Sequence, residues 1–292
     1  MDNKNILITG IRGNIGTEVL RGLKTIQSIH RIFAADYLPA QSETIKDTFP
    51  DTDYRQLDFA HPEGFDKALE DIDIVFLLRP PQLADVKKYF DPFLAAMEKQ
   101  GVSKIVFLSV QGAENQSFIP HHKLEKLILD YGMQYVFLRP SYFMQNITTT
   151  LFHEIEKHNR IFIPSGKLRF NWVDALDIGL TGAHVLNDFE KYSGKGLEIT
   201  GADFCGFDEV VRLINQHTSK QIRYVSPNLL RFYFAKKKQG VAPAMIFVMI
   251  MLHFLPRLGK NEAKLTQTVK EITGKEPGRL KEFIIWNKSL LE

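Results

Sequence analysis

The 292-residue chain has one cysteine, Cys205, two tryptophans and little excess charge of either sign. A lone cysteine excludes an intrachain disulfide and a cysteine-rich metal cluster, and its scarcity suits a reducing compartment. The 37 basic and 34 acidic residues leave a net charge of +3, too near balance to argue for nucleic acid. The amino terminus, Met1-Asp2-Asn3-Lys4-Asn5, runs into a short apolar stretch and lacks the pattern of a secretory signal. The longest apolar segment, Val241 to Leu255, is broken by Pro243 and His253; it falls short of the roughly 18 apolar residues of a membrane span. There is no H-E-x-x-H and no G-x-S-x-G, and the nine histidines are scattered. These absences lead us to expect a cytoplasmic protein with no metal, no membrane partner and no nucleic-acid partner.

What is present is ordinary globular material, 44% hydrophobic and 24% charged, with ample chain for a large core. Short apolar runs recur at Ile6–Ile8, Ile32–Ala35, Ile72–Leu78, Ile105–Leu108 and Tyr135–Leu138, with a weaker one at Tyr54–Leu57. Continuous rather than alternating runs suit parallel strands covered on both faces. Amphipathic stretches at 14–27, 83–100 and 122–131 fit between them as helices, the last two followed by Gly101 and Gly132. Strand and helix in alternation predict an α/β fold, a doubly wound parallel sheet of the Rossmann kind. After Thr148 the regularity fades. Strands are expected near Ile161, Leu197 and Ile222, and helices over 174–186 and 207–217. This gives a nucleotide-binding domain over 1–150, with part of 171–200 packing back onto it, and a smaller α/β substrate lobe over 151–292.

The strongest motif is Gly10-Ile11-Arg12-Gly13-Asn14-Ile15-Gly16, which follows an apolar strand and opens an amphipathic helix. The first glycine permits the turn, the second lets a pyrophosphate approach the backbone, and the third lets helix and strand pack closely. The phosphates would then sit on free N–H groups at the positive helix end. Asp36 ends the second strand, where a carboxylate accepts from adenosine ribose hydroxyls and repels a 2′-phosphate, favouring NAD. Arg12 pulls the other way, toward NADP, because a guanidinium pairs with a 2′-phosphate. Asp58-Phe59 after the third strand is placed to meet adenine, or else caps the turn before Pro62. Leu78-Arg79-Pro80 and Ser109 end the fourth and fifth strands, at the edge where open α/β sheets bind ligands.

Other features read more plainly. Cys205 suits a buried small residue. Lys236-Lys237-Lys238 reads as a solvated loop beside a core or dimer helix. Met245, Phe247, Met249, Met251 and Phe254 could line or close a pocket.

The glycine motif, the strand 104–110, the run His121-His122-Lys123-Leu124-Glu125-Lys126, and Leu138-Arg139-Pro140-Ser141-Tyr142-Phe143-Met144-Gln145-Asn146 together resemble the NmrA-like branch of the atypical short-chain dehydrogenase/reductases. Asn171-Trp172-Val173-Asp174-Ala175-Leu176-Asp177-Ile178 is similar to that family's second-lobe motif. The resemblance implies a Rossmann domain, an NAD or NADP cofactor and a substrate cleft. It covers reductases, quinone oxidoreductases and regulators that bind dinucleotide without turnover. The chain departs from active short-chain dehydrogenases in having no Y-x-x-x-K between Ser109 and Tyr135; Ser117 and His121 fall where the Tyr and Lys would be. His121, titrating near neutrality, is the expected proton donor, with Tyr142 as the second candidate. The expected function is hydride transfer to or from a small apolar carbonyl, quinone or enone. The alternatives are a non-catalytic redox sensor and, third, a nucleotide-sugar epimerase.

Overall fold

The computed structural model describes residues 3–38, 49, 52–258 and 265–292. The chain forms two compact units and passes between them five times, after Pro140, Asp174, Ile199, Gln267 and Lys275. Its first passage through unit one contains β1 (Asn5–Thr9), α1 (Asn14–Thr25), β2 (Arg31–Asp36), β3 (Asp53–Gln56), α2 (Phe65–Leu69), β4 (Ile74–Leu78), α3 (Val86–Lys99), β5 (Lys104–Leu108), α4 (Pro120–Asp130) and β6 (Gln134–Pro140). Unit two then begins with β7 (Tyr142–Phe143), α5 (Phe152–His158), β8 (Arg160–Phe162) and β9 (Arg169–Val173). The chain returns to unit one for α6 (Ala175–Asn187), α7 (Phe189–Tyr192) and β10 (Lys195–Ile199). Unit two resumes with β11 (Asp203–Gly206), α8 (Phe207–His217), β12 (Arg223–Val225), α9 (Leu229–Lys238) and α10 (Pro243–His253). The short α11 (Thr268–Thr273) belongs to unit one, and α12 (Leu280–Trp286) and α13 (Lys288–Leu291) close unit two.

Unit one is a seven-stranded parallel sheet in the order β10-β6-β5-β4-β1-β2-β3. This is the expected doubly wound α/β architecture. The apolar runs form β1, β2, β4, β5 and β6 because helices cover both faces; the edge strand β3, Asp53–Gln56, has no buried residue. On one face Leu7, Val75, Leu77, Ile105 and Phe107 pack with Phe90, Phe93, Leu94 and Met97 of α3 and with Leu124 and Ile128 of α4. Each such side chain contributes roughly 1.5–3 kcal/mol by its burial. α3 starts later than its periodicity predicts, because the Asp85 carboxylate accepts the Lys88 N–H and caps it there. On the other face α1 and α6 cross at small residues. A Cβ on Gly179 would lie 2.4 Å from the Glu18 backbone carbon, and one on Gly22 would lie 2.8 Å from the Ala183 Cβ.

Unit two holds a β11-β9-β7 sheet and a parallel β8–β12 pair. Its core gathers Phe162, Trp172, Phe207, Phe232, Ile246 and Ile284. One residue contradicts the sequence reading. Lys236 is not in a solvated loop; it lies on the buried face of α9. Its Nζ is 3.3 Å from Glu154 Oε1, and Arg160 and Gln239 also donate to that carboxylate, at 2.7 and 2.6 Å. Burial pushes the Glu154 carboxyl up, but the bonds from Gln239 and Arg160 and the Lys236 charge hold it below the usual range. An ion buried so deeply is stable only when paired in this way.

Candidate functional site

The order of the sheet places the glycine motif. From β1 the chain continues through α1 to β2 on one side, whereas β4 lies on the other. Such a switch point opens a crevice at the carboxyl ends of the strands, and residues 10–16 occupy it. Gly10 takes φ +63°, and a Cβ there would lie 3.1 Å from the Leu78 Cβ. A Cβ on Gly16 would lie 2.5 Å from the Gly10 carbonyl oxygen, so α1 starts hard against the turn. Gly13 is the N-cap of α1 and brings no side-chain hydrogen bond to it. That leaves first-turn N–H groups for a ligand to satisfy. Ile11 and Ile15 anchor the loop in the core, whereas Arg12, Gly13 and Asn14 are exposed. The Thr9 hydroxyl, which the sequence reading missed, accepts the Leu78 N–H at 2.8 Å and ties the two strand ends together.

Asp36 ends β2 beside this turn. It is 7% exposed, and its Oδ1 is buried with no partner among the described residues. An unsatisfied buried carboxylate oxygen is costly, so this atom fits a ligand that brings hydroxyl groups. Tyr54, also missed, donates its hydroxyl to the Asp36 carbonyl at 3.2 Å and to the Leu38 carbonyl. Burial and then the Asp36 charge push the Tyr54 phenol up to about 12, with Arg12 opposing them. Together the glycine turn, the uncapped helix and the orphaned oxygen fit the phosphates and ribose of a dinucleotide. Asp58 follows β3, but its two oxygens accept from the Ala60 N–H at 2.9 Å and the His61 ring at 2.8 Å. The Phe59 ring lies in the core against Phe90 and Phe93, which leaves its backbone as the part that can face a ligand.

Farther along the same edge, the Arg79 guanidinium folds back on its own loop. One nitrogen donates to the carbonyls of Pro80, Pro81 and Leu83 at 3.0–3.2 Å, and Nε is buried without a partner among the described residues. Burial pulls this guanidinium down to about 10. Ser109 is committed elsewhere than expected. Its hydroxyl donates to the buried Glu125 carboxylate at 2.5 Å, which Arg139 also grips at 3.0 and 2.6 Å. His121, in the first turn of α4, stacks on Phe107 with ring centroids 6.2 Å apart. It does not titrate near neutrality as expected. Burial, and then the nearby Arg79 charge, hold its imidazole down to about 3. His122 turns away and bonds the Ala113 carbonyl at 2.9 Å.

Tyr142 belongs to unit two. Its hydroxyl is 2.8 Å from His253 Nε2. His253 Nδ1 is 2.7 Å from the Met249 carbonyl, which can only accept. Nδ1 therefore carries the proton, and Tyr142 donates to Nε2. Phe170, Trp172 and Phe207 surround the pair, and burial raises the Tyr142 phenol well above its ordinary range. No spacing in the sequence links residues 111 positions apart, so this partner was not foreseeable. Cys205 is buried, and burial, with Glu209 and Asp203, pushes its thiol up to about 12, as suits a packing residue. No group of three or more potential metal ligands occurs among the described residues, and none of their helices is long and apolar enough to cross a membrane.

The model of the NmrA-like family matches residues 2–233. The chain is 30% identical over 280 residues to prestalk A differentiation protein A of Dictyostelium discoideum, covering 96% of this chain and 91% of that protein. It is 26% identical over 289 residues to the uncharacterized oxidoreductase YesF of Bacillus subtilis (strain 168), covering 97% and 95%. Its fold matches that of the NADPH-dependent quinone oxidoreductase of Escherichia coli complexed with NADPH. The TM-score is 0.82 and the identity 19%, with 96% and 98% of the chains covered. It also matches NmrA, a negative transcriptional regulator in complex with NAD. There the TM-score is 0.74 and the identity 14%, with 99% and 97% covered.

Proposed function

Because the chain belongs to the NmrA-like family, we propose that it is an oxidoreductase that binds a nicotinamide dinucleotide and acts on a small apolar carbonyl, quinone or enone. The observation that carries this reading is the buried Asp36 Oδ1, without a partner among the described residues, beside a helix end opened by three glycines. The oxidoreductase name of one relative and the NADPH-bound quinone oxidoreductase among the fold neighbours support it. A nicotinamide cofactor, when bound, supplies the hydride chemistry. The chain's own residues orient and shield. The turn of Gly10, Gly13 and Gly16 holds the phosphates. Asp36 accepts from the ribose hydroxyls and selects NAD, while Arg12 stacks on or flanks the adenosine end. Ile11, Asn14 and Ile15 fix the turn, and Leu78, Arg79 and Pro80 wall the crevice.

His121 works here as a neutral imidazole. A group held near 3 carries no spare proton at neutral pH, so it donates a hydrogen bond to the substrate oxygen rather than surrendering a proton. Tyr142 has its hydroxyl engaged by His253 and is given no part in the proton step. A second reading, a dinucleotide-binding sensor without turnover, is favoured by the missing Tyr–Lys pair and by the regulator among the fold neighbours.

Calorimetric titration with NAD, NADH, NADP and NADPH tests the proposal. We expect the NAD pair to bind more tightly, and Asp36→Ala to lose that preference by roughly tenfold, as removal of a charge-assisted hydrogen bond would do. Absence of binding by all four would overturn both readings. Binding without oxidation of the reduced form by any quinone or enone would leave the sensor.

A further inference from the structure

Helices α9 and α10 leave an apolar surface without a partner among the described residues of unit two. α10 is apolar around its whole circumference, Pro-Ala-Met-Ile-Phe-Val-Met-Ile-Met-Leu-His. Such a helix is expected to be buried on all sides. Instead it buries Ile246, Met249 and His253, the last latched by Tyr142. It leaves Phe247 62% and Leu252 53% exposed, with Met245 and Val248 beside them in sequence. α9 behaves alike. It buries Phe232 and Lys236, and leaves Leu230 72% and Phe234 63% exposed. The two helices pack on each other and bury their inner faces in one core cluster. The Met and Phe residues expected to line a pocket therefore divide, with Met249 in the core and Met245 and Phe247 in solvent.

The charge pattern along this segment is one-sided. From Val210 to Asn261 there are nine Lys or Arg residues and no Asp or Glu. Lys236 is neutralised by Glu154 from α5, whereas Arg231, Lys237, Lys238 and Arg257 flank the apolar positions and are exposed. The balance of the whole chain conceals this local excess.

We propose that the outer face of α9 and α10 docks on an anionic lipid bilayer, with α10 lying in the interfacial plane. Eleven residues at about 1.5 Å each make a rod of about 16 Å, half the thickness of a hydrocarbon core, so α10 can lie in the surface but not cross it. An apolar face flanked by cations is what such a surface recognises. A second copy of the chain fits less well, because a two-fold interface sets the same cationic flank against itself. A protein partner fits less well because the exposed positions of α10, Met245, Phe247, Val248 and Leu252, offer it no hydrogen bond. The inference revises the expectation of no membrane partner and does not depend on the cofactor reading.

Flotation of the purified full chain tests it, using phosphatidylcholine vesicles with and without about one-third phosphatidylserine. The chain should float with the anionic vesicles and not with the neutral ones, and high salt should release it. Lys237→Ala with Lys238→Ala should lower the partition coefficient roughly thirtyfold, at about a factor of five per cation. Phe247→Glu should abolish flotation. Circular dichroism and the melting temperature of each variant, both at solvent-exposed positions, should match the parent. Failure to float with anionic vesicles would overturn the proposal, as would equal flotation with neutral ones. So would a dimer, seen by light scattering without lipid, that Phe247→Glu dissociates.

Discussion

At the scale of single residues, the two histidines that matter are both held neutral by burial. His253 is pulled from an ordinary 6.5 down to about 4 by burial, against a partial rise from its bond to the Met249 carbonyl. Its folded pKa lies below its unfolded one, so between these values the unfolded chain binds the proton and the folded chain does not. Stability is therefore complete above 6.5 and is lost as pH falls toward 4, and His121 extends the loss toward 3. Thermal melts across this range should show the decline. His253→Gln, which can still accept from Tyr142 and donate to Met249, should flatten it; an unchanged slope would show that other groups dominate. Residue roles were legible where backbone chemistry decides them. The three glycines and Asp36 announce themselves by spacing and by position at strand ends. Ser109 stands at the sheet edge, where the sequence puts it, and His121 in the first turn of α4. Their chemistry was illegible because Glu125, Arg139 and Arg79 set it through folding, not through adjacency.

Elements were the most legible level in the first half and the least in the second. Continuous apolar runs mark the parallel strands because burial on both faces leaves no other pattern. α9 misleads because three consecutive lysines look uniformly solvated. Yet Phe232 and Lys236 are four apart, on one helical face, and the fold buries that face. Lys236 is accepted there because Glu154 is waiting. Removing Glu154 strands the buried Lys236 charge, whereas removing Lys236 leaves Glu154 with Arg160 as its counterion. Glu154→Gln should cost about 3–5 kcal/mol in urea unfolding, and adding Lys236→Met should recover much of it. Additive losses in the double variant would mean that the two side chains act independently. The α1–α6 crossing was likewise hidden, since Gly22, Gly179 and Ala183 carry no hydrophobic signal; what they supply is closeness.

For the whole molecule, the parallel Rossmann architecture followed from the alternation of strands and helices, but the partition of the chain did not. A soft boundary near residue 150 was expected, with part of 171–200 packing back onto the first domain; unit one is assembled from three stretches, Met1–Pro140, Ala175–Ile199 and Thr268–Lys275, the last of which was not expected. No composition shift marks these crossings, because each falls at or beside one end of an ordinary strand or helix. A fragment of residues 1–150 would lack β10 and α6, leaving the β6 edge unpaired and the inner face of α1 uncovered. Gel filtration should find that fragment aggregated or unfolded; a monodisperse fragment with a cooperative melt would show that the first six strands suffice.

The same interleaving bears on the order in which the protein is made. β6 leaves the ribosome before its neighbour β10, and the chain between them must first lay down Ser141–Asp174, a piece of unit two that is completed only by Thr200–Gln267 and Glu276–Glu292. Neither unit can close on a contiguous stretch of nascent chain. Their folding becomes one late, long-range event, slow by the logic of non-local contacts, with the β6 edge open until β10 has been made.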